Sequence, residues 1–187
     1  MLTIRMIGVL LACLYASSAG AQAQPRTLGP EEIRLRTYIG TWTYREQNFV
    51  TPLSDSSTAT GTHTYELLPG GFFVVHRWDE LNNHGVKETG IEVFGYDHEK
   101  KAYRNHSYTS LGEMREGSWQ WIGDTLRFSS DTIHYHGSTG IEKCAGVFAS
   151  KTKTVECRAS IDGRASFLTY RGVWTRTEPA RRRSNER

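Results

Sequence analysis

From residue 39 to residue 177 the chain alternates apolar and polar side chains in short runs with a period of two. "GTWTYREQ" (40–47), "THTYELL" (62–68), "GFFVVHRWDEL" (71–81), "KETGIEVFGYD" (87–97) and "KAYRNHSYT" (101–109) come first. "REGSWQWIG" (115–123), "TLRFSS" (125–130), "KCAGVFAS" (143–150), "KTVECRASI" (153–161) and "SFLTYRGVWTRT" (166–177) complete the series. All are rich in the β-branched and aromatic residues that suit a pleated, half-buried surface. Turn formers separate them: Pro69-Gly70-Gly71, Asn82-Asn83-His84-Gly85, Asp97-His98, Gly123-Asp124 and Asp162-Gly163. Residues 131–140 fit a strand or a loop. Ahead of the strands, "PRTLGPEEIRLRTY" (25–38) predicts a short helix. Gly29 caps it, Pro30 takes its first position, and Glu31 and Glu32 sit at the positive end of its dipole.

Strands joined by tight turns, without a long helix, predict an all-β antiparallel meander of about 8–10 strands. A sandwich and an up-and-down barrel both satisfy that description. The barrel is favoured because the connections are short and sequential, with no long Greek-key crossover. A barrel of this size is either filled by side chains or holds one small ligand. Within 101–109, Tyr103, Asn105, Ser107 and Thr109 share one face, and Arg104, His106 and Tyr108 share the other. One set is expected to line the interior.

The N-terminus changes the picture of where the domain begins. Residues 1–5 are a short basic start, and residues 6–16 ("MIGVLLACLYA") are an apolar run too short to span a membrane. "SSAGAQAQ" follows, with Ala21 and Ala23 as the small residues of an A-x-A cleavage site. This predicts a secretory signal peptide over residues 1–23 and a periplasmic or secreted mature chain. Lipid anchoring at Cys13, in Leu10-Leu11-Ala12-Cys13, is the less favoured alternative, because it leaves a very short apolar region. The formal net charge of +3 comes from Arg5 and from residues 178–187, which hold four Arg and two Glu. The expected domain, 24–177, is therefore neutral, and the Arg-rich end reads as a disordered, solvated tail. Nucleic-acid binding is not expected, and oligomeric state is not legible. In an oxidising compartment Cys144 and Cys157 suggest one bridge. In "CAGVFASKTKTVEC" a hairpin pairing Ala149 with Thr152 sets the two cysteines opposite each other.

The ordered series "YIGTWTY" (38–44), "ELLPGGFFVVHRWDE" (66–80), "TGIEVFGYDHEKKAY" (89–103), "EGSWQWIGDTLRF" (116–128) and "YRGVWTRT" (170–177) resembles a known family. It is a bacterial family of unknown function (domain of unknown function fifteen-seventy-nine) with a calycin-like, lipocalin-type barrel. The likeness covers roughly residues 33–177. Its most specific piece is Gly95-Tyr96-Asp97 with Lys100-Lys101-Ala102-Tyr103. His98 departs from it, since a proline commonly follows that Asp. The resemblance implies a barrel with a cavity and brings no activity, cofactor or ligand.

Signatures of several enzyme classes are missing: G-x-S-x-G, H-E-x-x-H, G-x-x-x-x-G-K-S/T, and G-x-G-x-x-G after a strand. Asp97, Asp124 and Asp162 read as turn residues. His134 and His136 share a face, but no definite third metal ligand accompanies them; His76 and His106 are the residues that would have to converge on them. No metal and no cofactor are expected. A nitrobindin-like haem reading would use His76 as axial ligand, on the face of Phe72, Val74 and Trp78. It is weakened because the glycines that follow the Trp in nitrobindins are absent from "GTWTYREQ".

Aromatic residues carry more information. Trp42 and Tyr44 share a face, as do Trp119 and Trp121, and His76 and Trp78. Rings mixed with a few polar groups suit a small-molecule pocket. The expected function is binding of a small, largely apolar molecule inside the barrel. Trp42, Tyr44, His76, Trp78, Tyr103 and Asn105 are the candidate lining, and His76 and Asn105 would fix orientation. The alternatives are an enzyme with His76 as general base, for which no second catalytic partner is identifiable, and a solidly packed envelope barrel.

Overall fold

A computed structural model describes residues 26–51, 55–130, 133–135, 138–163 and 165–177. The expected signal segment 1–23 with Cys13, the tail 178–187, His136 and the side chain of His134 lie outside the described residues. Helix α1 (Pro30–Arg34) leads through a 3-10 turn (Leu35–Thr37) into the first strand. As the sequence predicts, Gly29 caps α1, Pro30 opens it and its first turn is acidic; Glu32 reaches back to the Gly29 amide at 2.8 Å. No helix among the described residues is long and apolar enough to cross a membrane.

The strands are β1 (Gly40–Asn48), β2 (Ser57–Leu67), β3 (Phe73–Asn82), β4 (Lys87–Asp97), β5 (Ala102–Thr109) and β6 (Met114–Ile122). They continue as β7 (Thr125–Ser130), β8 (Ile133–Tyr135), β9 (Ser138–Phe148), β10 (Thr152–Ile161) and β11 (Phe167–Arg176). Neighbours pair antiparallel in sequence order, and β1 pairs with both β2 and β11, so the sheet closes on itself. The ambiguous stretch 131–140 contributes β8 and the start of β9. Both β7 and β8 lie on the same edge of β9, so the closed wall is a ten-stranded barrel with β8 as an extension.

Period two now has a geometric meaning. Inward positions of β1, β2 and β3 include Trp42 and Tyr44, His63 and Tyr65, and Val74 and His76, all buried. On β5 the set Tyr103, Asn105 and Ser107 is buried, while His106 and Tyr108 face solvent. Large rings fit inside because glycines stand opposite some of them. Gly90 pairs directly with Trp78, and a Cβ there would fall 1.9 Å from the indole. Gly172 is seated under Trp174 and the Tyr170 hydroxyl in the same way, with the hydroxyl at 2.2 Å from such a Cβ.

One end of the barrel is shut by the α1 segment. Tyr103 donates its hydroxyl proton to Glu31 Oε2 at 2.7 Å, Arg34 donates to the Gly123 carbonyl at 2.6 Å, and Trp42 Nε1 donates to the Tyr38 carbonyl at 2.8 Å. Tyr38 itself projects into a cluster with Tyr65, Phe94, Trp119 and Phe148. Arg176, at the end of β11, donates to the carbonyls of Thr37 and Ile39 at 2.7 and 2.5 Å and stacks over Trp42. The last strand therefore holds the first turn. Cys144 and Cys157 are direct partners in the β9–β10 ladder and form a disulfide, and Ala149 donates its amide to the Thr152 carbonyl. The hairpin register read from the sequence is the observed one.

Candidate functional site

Below the aromatic cluster the interior turns polar. Strands β2, β3 and β4 each carry an inward residue of one hydrogen-bonded row. Glu80 Oε1 is 2.8 Å from His63 Nε2, His63 Nδ1 is 2.8 Å from His76 Nε2, and His76 Nδ1 is 2.9 Å from Glu92 Oε2. Asn105 on β5 extends the row by donating to Glu92 Oε1 at 2.7 Å. Adjacent strands place these residues side by side because Glu92 is the ladder partner of His76, and Asn105 is diagonal to Glu92 across β4–β5.

Three consecutive hydrogen bonds between Glu80 and Glu92 require three protons, and two neutral imidazoles supply two. The third belongs to the row as a whole. Burial pushes the Glu80 carboxyl up to about 8, with Glu46 and Glu88 adding like charge, so Glu80 holds a proton at neutral pH. Burial also keeps both imidazoles neutral. His63 is pushed down to about 2, with His76 and Lys153 adding to the effect, and His76 is lowered despite the opposing bond to Glu92. With the proton on Glu80, each group in turn donates toward Glu92. Trp174 Nε1 also lies 3.2 Å from His63 Nδ1.

Rings wall the row. Tyr65 stacks on His76 at 4.1 Å, Tyr44 lies 4.5 Å from His63, and Trp78 lies 5.0 Å from His76. Lys153 on β10 also points inward and donates to the Tyr65 hydroxyl at 3.1 Å. The Asn105 Oδ1 atom is buried and has no hydrogen-bond partner, an arrangement that calls for a donor.

Of the six residues nominated from sequence, four meet here: Tyr44, His76, Trp78 and Asn105. Trp42 and Tyr103 sit instead in the packed end under α1, where Tyr103 borders a cleft of about 270 Å³ with Glu31, Arg34 and Trp121. His106 does not converge with His76; it lies outside the barrel, beside Glu116 at 3.2 Å. Both ring nitrogens of His76 are engaged, so axial ligation of haem would require breaking the row. Sequence reasoning missed His63, Tyr65, Glu80, Glu92, Lys153 and Trp174. Parity was the available signal: Glu80 shares the face of His76 and Trp78, and Lys153 that of Cys157. Glu142 lies within 4.8 Å of both disulfide sulfurs, but a disulfide offers no thiolate to a metal.

Ten antiparallel strands closed around a ring-walled polar row, under a helical stopper, define the class as a calycin-like barrel. The chain belongs to the family described as Protein of unknown function (DUF1579), whose sequence profile matches residues 27–163. That is the family the sequence resembles. No curated protein matches it. Among solved structures, Rv2717c from M. tuberculosis is similar at 10% identity and a TM-score of 0.58, over 81% of this chain and 100% of that one. The S-type phycobiliprotein lyase CPES from Guillardia theta is similar at 10% identity and a TM-score of 0.51, over 79% and 93%. At such identities the likeness is one of fold alone.

Proposed function

We propose that the protein is an exported barrel that binds a small, largely apolar molecule in the half of its interior away from α1. The observation that carries this reading is the unpartnered, buried Asn105 Oδ1 at the end of the His63–His76 row. A ligand with one donor would satisfy it, while Tyr44, Tyr65, Trp78 and Trp174 supply apolar contact. Export is supported by the N-terminal segment and agrees with the disulfide, which persists in oxidising compartments.

Native mass spectrometry of the protein recovered from a periplasmic fraction tests the reading, with an absorption spectrum alongside. The expected result is a chain beginning at Gln24 with a co-purifying mass and no Soret band. Asn105→Trp should remove that mass and leave the far-UV spectrum of a folded barrel. Retention of the mass by the folded variant would overturn the assigned site.

A second reading, a barrel enzyme, is favoured by the paired histidines, because the row can accept a proton at one end and release one at the other. Returning the extracted molecule to the protein separates the two. An unchanged mass means binding, and a converted one means turnover.

A further inference from the structure

Lys153 is the buried ionisable group that the proposed binding role leaves unused. It lies on the inward face of β10, with 7% of its surface exposed, and no carboxylate among the described residues forms an ion pair with it. Its Nζ sits 4.0 Å from the centroid of Trp174, 5.1 Å from Tyr65, 5.5 Å from Phe148 and 5.8 Å from Tyr38. It thus stands where the aromatic end meets the polar row. A methionine would fill this cage without burying an amine, so the nitrogen calls for a chemical explanation.

We propose that Lys153 is a covalent capture site for a small apolar aldehyde, which its amine binds as an imine. The inference rests on the binding reading above and names the chemistry of its ligand. Burial lowers the amine to about 7, with the nearby Glu92 charge opposing, so much of it is an unprotonated nucleophile at neutral pH. The four rings facing it carry no cation to hold a phosphate or carboxylate, which restricts the carbonyl compound to an apolar one. The Tyr65 hydroxyl, 3.1 Å from Nζ, accepts one hydrogen bond from it and keeps its own proton to give.

The amine nitrogen attacks the carbonyl carbon, a C–N bond forms, and the carbonyl electron pair moves to oxygen. That oxygen takes up the proton the amine gives away, relayed through Tyr65. In the resulting carbinolamine the hydroxyl is protonated by Tyr65 and departs as water. The nitrogen lone pair closes the C=N bond and the remaining amine proton returns to Tyr65. One aldehyde and one amine become one imine and one water, with no change of oxidation state.

The test uses the full expressed chain, 2-naphthaldehyde as probe and sodium cyanoborohydride to fix the imine, followed by peptide mass spectrometry. Lys151, exposed and two residues away, is the internal reference. At pH 7.4 Lys153 should be labelled about a hundredfold faster than Lys151. Lys153→Arg should abolish that adduct. Calorimetry with 2-naphthylmethanol, which has no carbonyl, reports non-covalent binding separately. Binding of the alcohol without an adduct on Lys153 overturns imine capture and leaves the binding reading standing. Failure of both overturns both.

Discussion

Replacing Lys153 by Met keeps an unbranched chain of similar length inside its ring cage and deletes the ammonium group. The lowering of this amine from 10.5 to about 7 corresponds to about 5 kcal/mol against the charged form, at about 1.4 kcal/mol per pH unit. That cost is net of the face of Trp174, 4.0 Å away, which favours the charged form as a cation–π contact, so desolvation wins. Below pH 7 the amine is charged in both folded and unfolded chains, so this cost is fully present. Between pH 7 and 10.5 the unfolded chain binds the proton and the folded chain does not, so stability rises with pH. Lys153→Met should thus be the more stable protein by up to about 5 kcal/mol at pH 6, with the difference shrinking as pH rises. Urea unfolding followed by tryptophan fluorescence at pH 6, 7.5 and 9 measures both. A variant less stable than the parent at pH 6, with a pH-independent difference, would refute the argument that the amine is buried at a cost.

Gly90→Ala should cost about 1–3 kcal/mol by overpacking, because the new Cβ meets the Trp78 ring at 1.9 Å and drives it off His76 and Glu88; an unchanged urea midpoint would count against that packing. The double substitution Cys144→Ala/Cys157→Ala opens a short loop and should lower the free energy of unfolding by about 2–3 kcal/mol, toward the low end because the β9–β10 ladder already holds the two ends together; an unchanged urea midpoint would count against it. The histidines and Glu80 oppose each other in acid. His63 protonates below 6.5 when unfolded but only near 2 when folded, so stability falls as pH drops through that window. Glu80 keeps its proton up to about 8 when folded but only to about 4.5 when unfolded, so stability falls as pH rises from 4.5 to 8. Between pH 4.5 and 6.5 Glu80 offsets only one of the two histidines, so the parent's stability should rise with pH and Glu80→Gln should steepen that rise. An identical profile for the two proteins would show that Glu80 does not hold the proton.

The strands were legible because each is a short period-two run bounded by Gly, Asn, Asp or Pro, and nothing in the fold overrides that signal. β2 starts five residues before "THTYELL" because the Ser-Thr-Ala-Thr-Gly stretch ahead of it lacks large apolar residues and looks like a loop. It is a strand all the same, since Gly61 and Ala59 face inward where neighbouring strands bring larger groups. The site was half legible. His76, Trp78 and Asn105 stand out as polar or aromatic groups within apolar runs. Lys153 did not, because a lysine beside a turn normally faces water. Glu80 and Glu92 did not, because a carboxylate inside a barrel has meaning only through its partners, His63 and His76, which lie 17 and 16 residues away in the chain.

The pairing of β1 with β11, together with the grip of Arg176 on Thr37 and Ile39, bears on the order of assembly. Until the final strand is in place, the growing sheet has two open edges, and each is a template for joining another chain. The seam forms between the stretches most distant along the sequence, so ring closure comes late and its entropy cost falls on a single step. A fragment stopping before Trp174 would strip the seam of its pairs with Trp42, Thr43 and Tyr44 and lack the residue that touches His63 and Lys153 together. Loss of solubility and loss of the interior site should therefore appear at the same point in a truncation series.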